Sequence, residues 1–182
     1  AQEINTDFLV PGLEEVGRRF EAKEFFLPQV ILAAETMQKA FKRLKKELQK
    51  AQCQAQGKIV FATVEGDFHD IGKNIVIAVL ENYGYEIVDL GKNVKADTIV
   101  SRAREEKADV IALSALMTTT MVKMHDIIAQ INDQQLEVKT MVGGAVLNTM
   151  FAEKIGADGF AHDAIQAVQV IKNLMREKDD ND

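Results

Sequence analysis

Five short apolar segments alternate with five helical patterns after residue 57, and this alternation restricts the possible folds more than any other feature. The predicted strands cover residues 58–64, 85–90, 108–114, 137–142 and 157–160. The predicted helices cover residues 72–83, 95–107, 118–133, 147–155 and 163–176. Repeated βα units give parallel strands with helices on both faces of the sheet. The sequence therefore predicts an α/β fold with a five-stranded, parallel, doubly wound sheet of the Rossmann or flavodoxin-like kind.

The N-terminal region has a different pattern, which is helical throughout. From Pro28 onward, apolar residues recur every three or four positions, among them Val30, Met37 and Leu44. This spacing marks one face of a long amphipathic helix. A short polar segment, 51–57, follows it. We therefore predict a helical region over residues 1–52 and an α/β domain over residues 58–178.

The composition of the chain restricts the classes of binding partner and the cellular compartment that we expect. With 182 residues, 47% of them apolar, the chain is long enough for one domain and a small appendage. The net charge of −6 favours neither nucleic acid nor an anionic membrane as a partner. No apolar run reaches the ~18 residues of a membrane span, and Glu3 and Asp7 interrupt any signal-like start. A single cysteine, Cys53, excludes an internal disulfide framework. We expect a cytoplasmic protein.

Small or polar residues follow every predicted strand. They are Gly66 to Gly72, Gly91, Ser114 to Thr118, Gly143 and Gly144, and Ala161 to Ala164. Ligands of parallel α/β folds bind at this carboxyl edge of the sheet. The sequence contains neither a phosphate-binding P-loop nor a dinucleotide fingerprint. Paired glycines and alanines indicate a slot for the tail of a ligand, although Gly143 and Gly144 fit a plain strand-to-helix turn equally well.

The loop after the first strand carries the most informative motif, Asp67-Phe68-His69-Asp70-Ile71-Gly72, which reads D-x-H-x-x-G. A histidine on this loop can reach a ligand at the edge of the sheet. The aspartate two residues earlier can accept the proton of the other ring nitrogen, as it does for many metal-bound histidines. Gly72 leaves room for a bulky group against the backbone. By itself, the motif also fits a loop histidine that is hydrogen-bonded to an aspartate.

Three segments in this order resemble a known family. They are Gly-Asp-Phe-His-Asp-Ile-Gly-Lys-Asn-Ile-Val from Gly66, Ser-Ala-Leu from Ser114, and Gly143-Gly144. They are similar to the cobalamin-binding domain shared by methionine synthase and the corrinoid proteins of methyltransferase systems. The segment from Val16 to Val30 resembles the helical cap that precedes this domain. That cap is a four-helix bundle, so the resemblance implies that residues 1–52 form only part of one.

The resemblance implies roles for the residues of the motif. His69 would be the lower axial ligand of cobalt in place of the cofactor's own dimethylbenzimidazole, and Asp67 would accept its hydrogen bond. Thr120 stands where methionine synthase has a serine that extends this pair. The remaining members of the cofactor-binding loop would be Gly66, Phe68, Asp70, Ile71 and Gly72.

The resemblance also implies a tail slot and a covered upper face. Gly72 would let the displaced nucleotide tail pass the backbone. The slot would be lined by Ser114, Leu116, Thr118, Gly143 and Gly144, and closed by Ala164. Phe20 and Leu27 match the two apolar cap residues that cover the methyl-bearing face of the corrin.

The implied function is a methyl carrier that catalyses nothing alone. Its cofactor would alternate between methylcobalamin and cob(I)alamin. Its partners would be a donor-specific methyltransferase, an acceptor methyltransferase and a reductive activase, with tetrahydrofolate, a thiol or homocysteine as the acceptor. The partial cap has two explanations: the sequence is a trimmed piece of a longer cap, or a second chain completes the bundle. We expect the second, a homodimer through the cap regions.

Two alternatives remain open at this point. Subunits of adenosylcobalamin-dependent mutases share D-x-H-x-x-G but lack the cap sequence Phe26-Leu27-Pro28-Gln29. Cobalamin-based sensors have a related cap but usually carry a DNA-binding or signalling domain.

Overall fold

A computed structural model describes residues 8, 10–50 and 56–179 of the chain. Two helices come first, α1 (Val10–Glu21) and α2 (Leu27–Lys50). The strands are β1 (Lys58–Thr63), β2 (Glu86–Asp89), β3 (Val110–Ser114), β4 (Lys139–Gly143) and β5 (Gly159–Ala161). The later helices are α3 (Ile71–Asn82), α4 (Ala96–Glu105), α5 (Thr118–Met121), α6 (Lys123–Asp133), α7 (Thr149–Ile155) and α8 (Ala164–Asp179). The predicted α/β fold with a five-stranded parallel sheet is confirmed.

The strands are arranged in the order β2-β1-β3-β4-β5, and all neighbours are parallel. Strand β2 is added on one side of β1, whereas β3, β4 and β5 follow on the other side. The carboxyl ends of β1 and β3 are therefore the switch point of the strand order, where such folds bind ligands. The register pairs Thr63 with Ser114, Ser114 with Gly143, and Gly143 with Ala161. Four strands therefore end in one row, and the loops that follow them meet at the same edge.

Apolar cores lie on both faces of the sheet. One cluster contains Val60 and Leu113 together with residues of α4 and α6. The other contains Ile59 and Phe61 together with residues of α3 and α8. Because alternate side chains of β1 enter opposite cores, the strand is buried along almost its whole length. This explains its continuous apolar sequence. Burial of each large side chain contributes ~1.5–3 kcal/mol.

The helix predicted over residues 118–133 is interrupted at Val122, which separates α5 from α6. Val122 keeps helical dihedral angles of −62° and −25°, so the interruption is local. Three consecutive threonines begin the segment, and β-branched residues are weak helix formers. The hydroxyl oxygen of Thr120 lies 3.0 Å from the carbonyl oxygen of Met117, and local side-chain contacts of this kind compete with regular helix geometry.

The N-terminal helices contact the α/β domain. Val30 and Met37 are buried, as the amphipathic pattern predicts, and Met37 joins the core beside α3. Gly17 of α1 approaches Ile165 closely. The side chain of Leu44 and residues 51–55, with Cys53, lie outside the described residues. The boundaries 1–52 and 58–178 stay a prediction. Among the described helices, none has the length and apolarity needed to cross a membrane.

The backbone itself explains why residues 143 and 144 are glycines. A Cβ at Gly144, where φ is +140°, would collide with the carbonyl of Ala115, and one at Gly143 would lie 3.0 Å from the carbonyl oxygen of Ala161. The strand-to-helix turn therefore accounts for both residues without a ligand. Gly72, in contrast, has open space around its Cβ position.

We expect Gly144→Ala to destabilise the cofactor-free protein, because the strained φ alone costs roughly 1–3 kcal/mol. Gly72→Ala is the matched control, and it should leave stability unchanged or raise it by about 0.4–1 kcal/mol. Urea unfolding of the apoprotein measures both. Equal stability of Gly144→Ala and wild type would contradict the close backbone approach.

Candidate functional site

The loop after β1 holds His69 in one orientation. Its Nδ1 lies 2.8 Å from Oδ1 of Asp67, and its backbone N–H donates to the same oxygen over 3.0 Å. Asp67 is fully buried, whereas the imidazole is 53% exposed. Because a buried carboxylate favours the proton on Nδ1, Nε2 presents its lone pair at the edge of the sheet. The arrangement is that of a histidine prepared for a metal.

The second carboxylate oxygen of Asp67 connects this loop to the one after β3. Oδ2 accepts hydrogen bonds from the backbone N–H of Leu116 and from the hydroxyl of Thr120, each over 2.7 Å. Burial by itself raises the pKa of Asp67. The hydrogen bonds from Leu116, His69 and Thr120 outweigh burial and hold this pKa well below its ordinary range. Asp67 is therefore a fixed negative charge behind the histidine, and Thr120 supplies the hydroxyl that the resemblance implied.

The loop after β2 supports the same site from the other side. The side chain of Asn93 accepts a hydrogen bond from the N–H of Gly66 over 2.8 Å, and its N–H donates to the carbonyl of Asp67 over 3.0 Å. Asn93 has a left-handed φ of 57°, which asparagine tolerates better than most residues. The sequence analysis missed Asn93, because its partners lie 26 or more positions away.

Lys73 is a second residue that the sequence analysis missed. It is 2% exposed, and its ammonium group lies 2.6 Å from Asp89 at the end of β2 and 2.9 Å from the side-chain oxygen of Asn74. A buried charge requires such a partner. The pair attaches the first turn of α3, immediately after the histidine loop, to β2. The available signal was a lysine beside the long apolar run of this helix, Ile75 to Leu80.

A cavity of about 470 Å³ opens beside His69. Most of the predicted site residues line it: Phe20, Leu27, Phe68, His69, Asp70, Ile71, Gly72, Ser114, Leu116, Gly143, Gly144 and Ala164. Gly66, Asp67 and Thr120 belong to the network around the histidine instead. Thr118, which we expected in the slot, is exposed at the start of α5 and is not part of the lining.

Large apolar side chains surround the entrance. Phe68, Ile71 and Leu116 are 60%, 77% and 41% exposed, and Leu27 of the cap is 51% exposed. A concentration of exposed apolar surface around one polar atom is typical of a binding site for a large ligand. Phe61 and Met141 line the cavity more deeply, and nothing in the sequence distinguished them from ordinary strand residues.

The donor atoms suit a metal that brings its other ligands with it. Across the described parts of the chain, no group of three or more His, Cys, Asp or Glu side chains could hold a metal ion. The site offers the oriented imidazole of His69, a second imidazole at His162, an apolar entrance and a deep cavity. This combination fits a cobalt corrin, because the macrocycle would bring further ligands to the metal and the cavity has space for a tail.

Comparison with known proteins defines the class. The sequence profile of the B12 binding domain matches residues 57–169, and a second B12 binding domain profile matches residues 1–45. The protein is a cobalamin-binding protein. The two profiles cover the α/β domain and the helical region respectively.

Individual relatives show which family of cobalamin-binding proteins the chain resembles. A corrinoid protein of Desulfitobacterium hafniense is 41% identical over 172 residues, which are 92% of this chain and 80% of that protein. Trimethylamine corrinoid protein 1 of Methanosarcina mazei is 44% identical over 165 residues, or 88% of this chain and 76% of that one. The chain belongs to the family of corrinoid proteins of methyltransferase systems.

Solved structures are similar throughout the chain. A cobalamin-binding protein from Desulfitobacterium hafniense superimposes with a TM-score of 0.84 at 33% identity, over 95% of this chain and 82% of that one. A chain of the methanol:cobalamin methyltransferase complex from Methanosarcina barkeri gives a TM-score of 0.81 at 30% identity, over 96% and 67%. The helical region is therefore shared along with the sheet.

The buried charge of Asp67 predicts a pH dependence. A folded-state pKa below the unfolded value of ~3.9 contributes stability above that value, which is lost as pH falls through the folded pKa. At pH 7, Asp67→Asn should lose about 1–3 kcal/mol of unfolding free energy. The difference from wild type should shrink progressively below about pH 5. Urea unfolding from pH 7 to 3 measures it, with Asp126→Asn, on an exposed carboxylate, as the control. A constant difference at every pH would contradict the low pKa.

Proposed function

We propose that this protein is a corrinoid carrier that holds cobalamin with His69 as the lower axial ligand and passes a methyl group between partner methyltransferases. The observation that carries the proposal is the exposed His69 imidazole, held by the buried Asp67 carboxylate at the mouth of the cavity. The relatives favour methyl transfer over a mutase subunit or a sensor.

The protein's residues determine how the cofactor is presented. Bound cobalamin supplies a cobalt centre that accepts a methyl group from one partner and gives it to another. His69 would provide the nitrogen ligand, and the hydrogen bond to Asp67 holds its ring in one orientation. The hydrogen bonds to Asp67 keep that carboxyl ionised behind the ring.

The helical cap covers the other side of the entrance. Two cap residues, Phe20 near the end of α1 and Leu27 at the start of α2, line the same cavity as His69. Helix α1 is held against the α/β domain by the close approach of Gly17 to Ile165. In this position the side chains of Phe20 and Leu27 would reduce the access of water to the methyl-bearing face of a bound corrin. Access by a partner enzyme then requires the cap to move.

The partners follow from this role. One is a methyltransferase that delivers the methyl group, a second removes it to an acceptor, and a reductive activase restores the cofactor after oxidation. Protein partners of this kind are supported by the methanol:cobalamin methyltransferase complex, to which a similar chain belongs. Phe26 and Leu32 of the cap are 63% and 64% exposed, and this apolar surface supports a homodimer through the cap regions.

The ligand assignment is tested by His69→Ala. We expect the variant to bind cobalamin through the tail but to lose the nitrogen hyperfine splitting in the electron paramagnetic resonance spectrum of the cobalt(II) form. His162→Ala is the matched control, since His162 lines the same cavity from the end of β5. Nitrogen splitting retained in His69→Ala would refute His69 as the ligand, and its loss in His162→Ala alone would assign the other histidine.

The cap is tested by the double variant Phe20→Ala and Leu27→Ala. Each side chain contributes ~1.5–3 kcal/mol when buried, so we expect a looser cap and faster photolysis of the methyl–cobalt bond. A shielding cap returns the methyl radical to cobalt. Light scattering on both proteins reports the dimer. An unchanged photolysis rate would contradict the shielding role, and a monomeric wild type would contradict the dimer.

A further inference from the structure

The deep part of the cavity is apolar, and we propose that it makes this protein select its cofactor by the base at the end of the nucleotide tail. It accepts a benzimidazole and discriminates against a purine. The inference rests on the proposed function, because it requires the tail to enter this cavity.

Four residues form what we term the buried wall: Phe61, Met141, Ala161 and Ala167. They are 3%, 2%, 5% and 1% exposed, and all four line the cavity. They come from β1, β4, β5 and α8 and belong to one packed apolar cluster on the α3 and α8 side of the sheet. None of these side chains carries an N–H or O–H group or an oxygen acceptor. A ligand atom that contacts this wall therefore loses its hydrogen bonds to water without replacement.

The polar side chains of the lining lie outside the buried wall or already have partners. Those of His69, Asp70, Ser114, His162 and Asp163 belong to exposed or half-buried residues. Lys73 is buried, but its ammonium group is engaged by Asp89 and Asn74. The strand backbone is occupied as well, because Phe61 pairs with Ala112 and Met141 with both Ala112 and Gly159 in the sheet.

The chemistry of the base then decides how well it is accepted. The outer edge of dimethylbenzimidazole carries two methyl groups, which gain by leaving water. Adenine presents ring nitrogens and an exocyclic amino group, which lose their hydrogen bonds in such surroundings. An apolar pocket typically discriminates against one added polar group by roughly 10–100-fold.

The test is a spectral titration of the cofactor-free protein with three cofactors. They are cobalamin, the analogue with adenine as its base, and cobinamide, which has no nucleotide tail. Each dissociation constant is corrected for the fraction of free cofactor whose base has left cobalt, read from its absorption spectrum. We expect cobalamin to bind roughly 10–100-fold more tightly than the adenine analogue. Equal affinity for these two, both tighter than cobinamide, would overturn the selection. Equal affinity for all three would instead overturn the tail site itself.

A matched pair of variants locates the selection. Ala167→Ser places a hydroxyl group on the buried wall, and we expect it to reduce the preference for cobalamin over the adenine analogue severalfold. Ala103→Ser makes the same change at a 2% exposed helical position in the opposite core, and it should leave the preference unchanged. Thermal unfolding reports whether both variants fold. An unchanged preference in folded Ala167→Ser would overturn the assignment to this wall, and the wild-type titration stands independently of either variant.

Discussion

The buried carboxylate of Asp67 is the interaction on which the functional end of the molecule depends. Its side chain accepts hydrogen bonds from His69 in its own loop and from Leu116 and Thr120 after β3, while its backbone carbonyl accepts one from Asn93 after β2. Three neighbouring loops therefore converge on one residue. Thr120 is buried with it, so loss of the charge would weaken hydrogen bonds from three residues at once and leave a buried hydroxyl without its acceptor. The orientation of the histidine and the shape of the cavity mouth follow from this network.

The parallel register supplies the rest of the site. Ser114, Gly143 and Ala161 lie side by side at the ends of β3, β4 and β5, and the backbone there approaches too closely for any residue other than glycine at position 144. The cavity runs from this row towards α3 and α8. His69 is the histidine of this cavity whose ring is held by a buried carboxylate. In the function proposed here, recognition of the cofactor would be divided between its nitrogen and a large apolar surface.

Much of the architecture could be predicted because its signals are local. All five strands end within two residues of their predicted limits, since buried parallel strands are continuous apolar runs. The D-x-H spacing predicted the His69–Asp67 pair, because two residues in one loop determine it. The break at Val122 could not be predicted, since Val122 keeps helical dihedral angles and the pattern on both sides of it is helical. Thr118 is exposed at the start of α5 and outside the cavity lining, and its role in the slot stays a prediction.

The sequence by itself determined the fold class, the edge of the sheet that binds the ligand, the histidine and its carboxylate, and the family. These depend on periodicity and on residues a few positions apart. Only the tertiary structure decided that Lys73 pairs with Asp89, that Asn93 supports the loop, and that Phe61 and Met141 line the cavity. The hydrogen-bonded pairs lie 16 to 27 positions apart, and Phe61 and Met141 lie on different strands. These contacts form only when the sheet register places strand ends side by side, and no local pattern encodes that register.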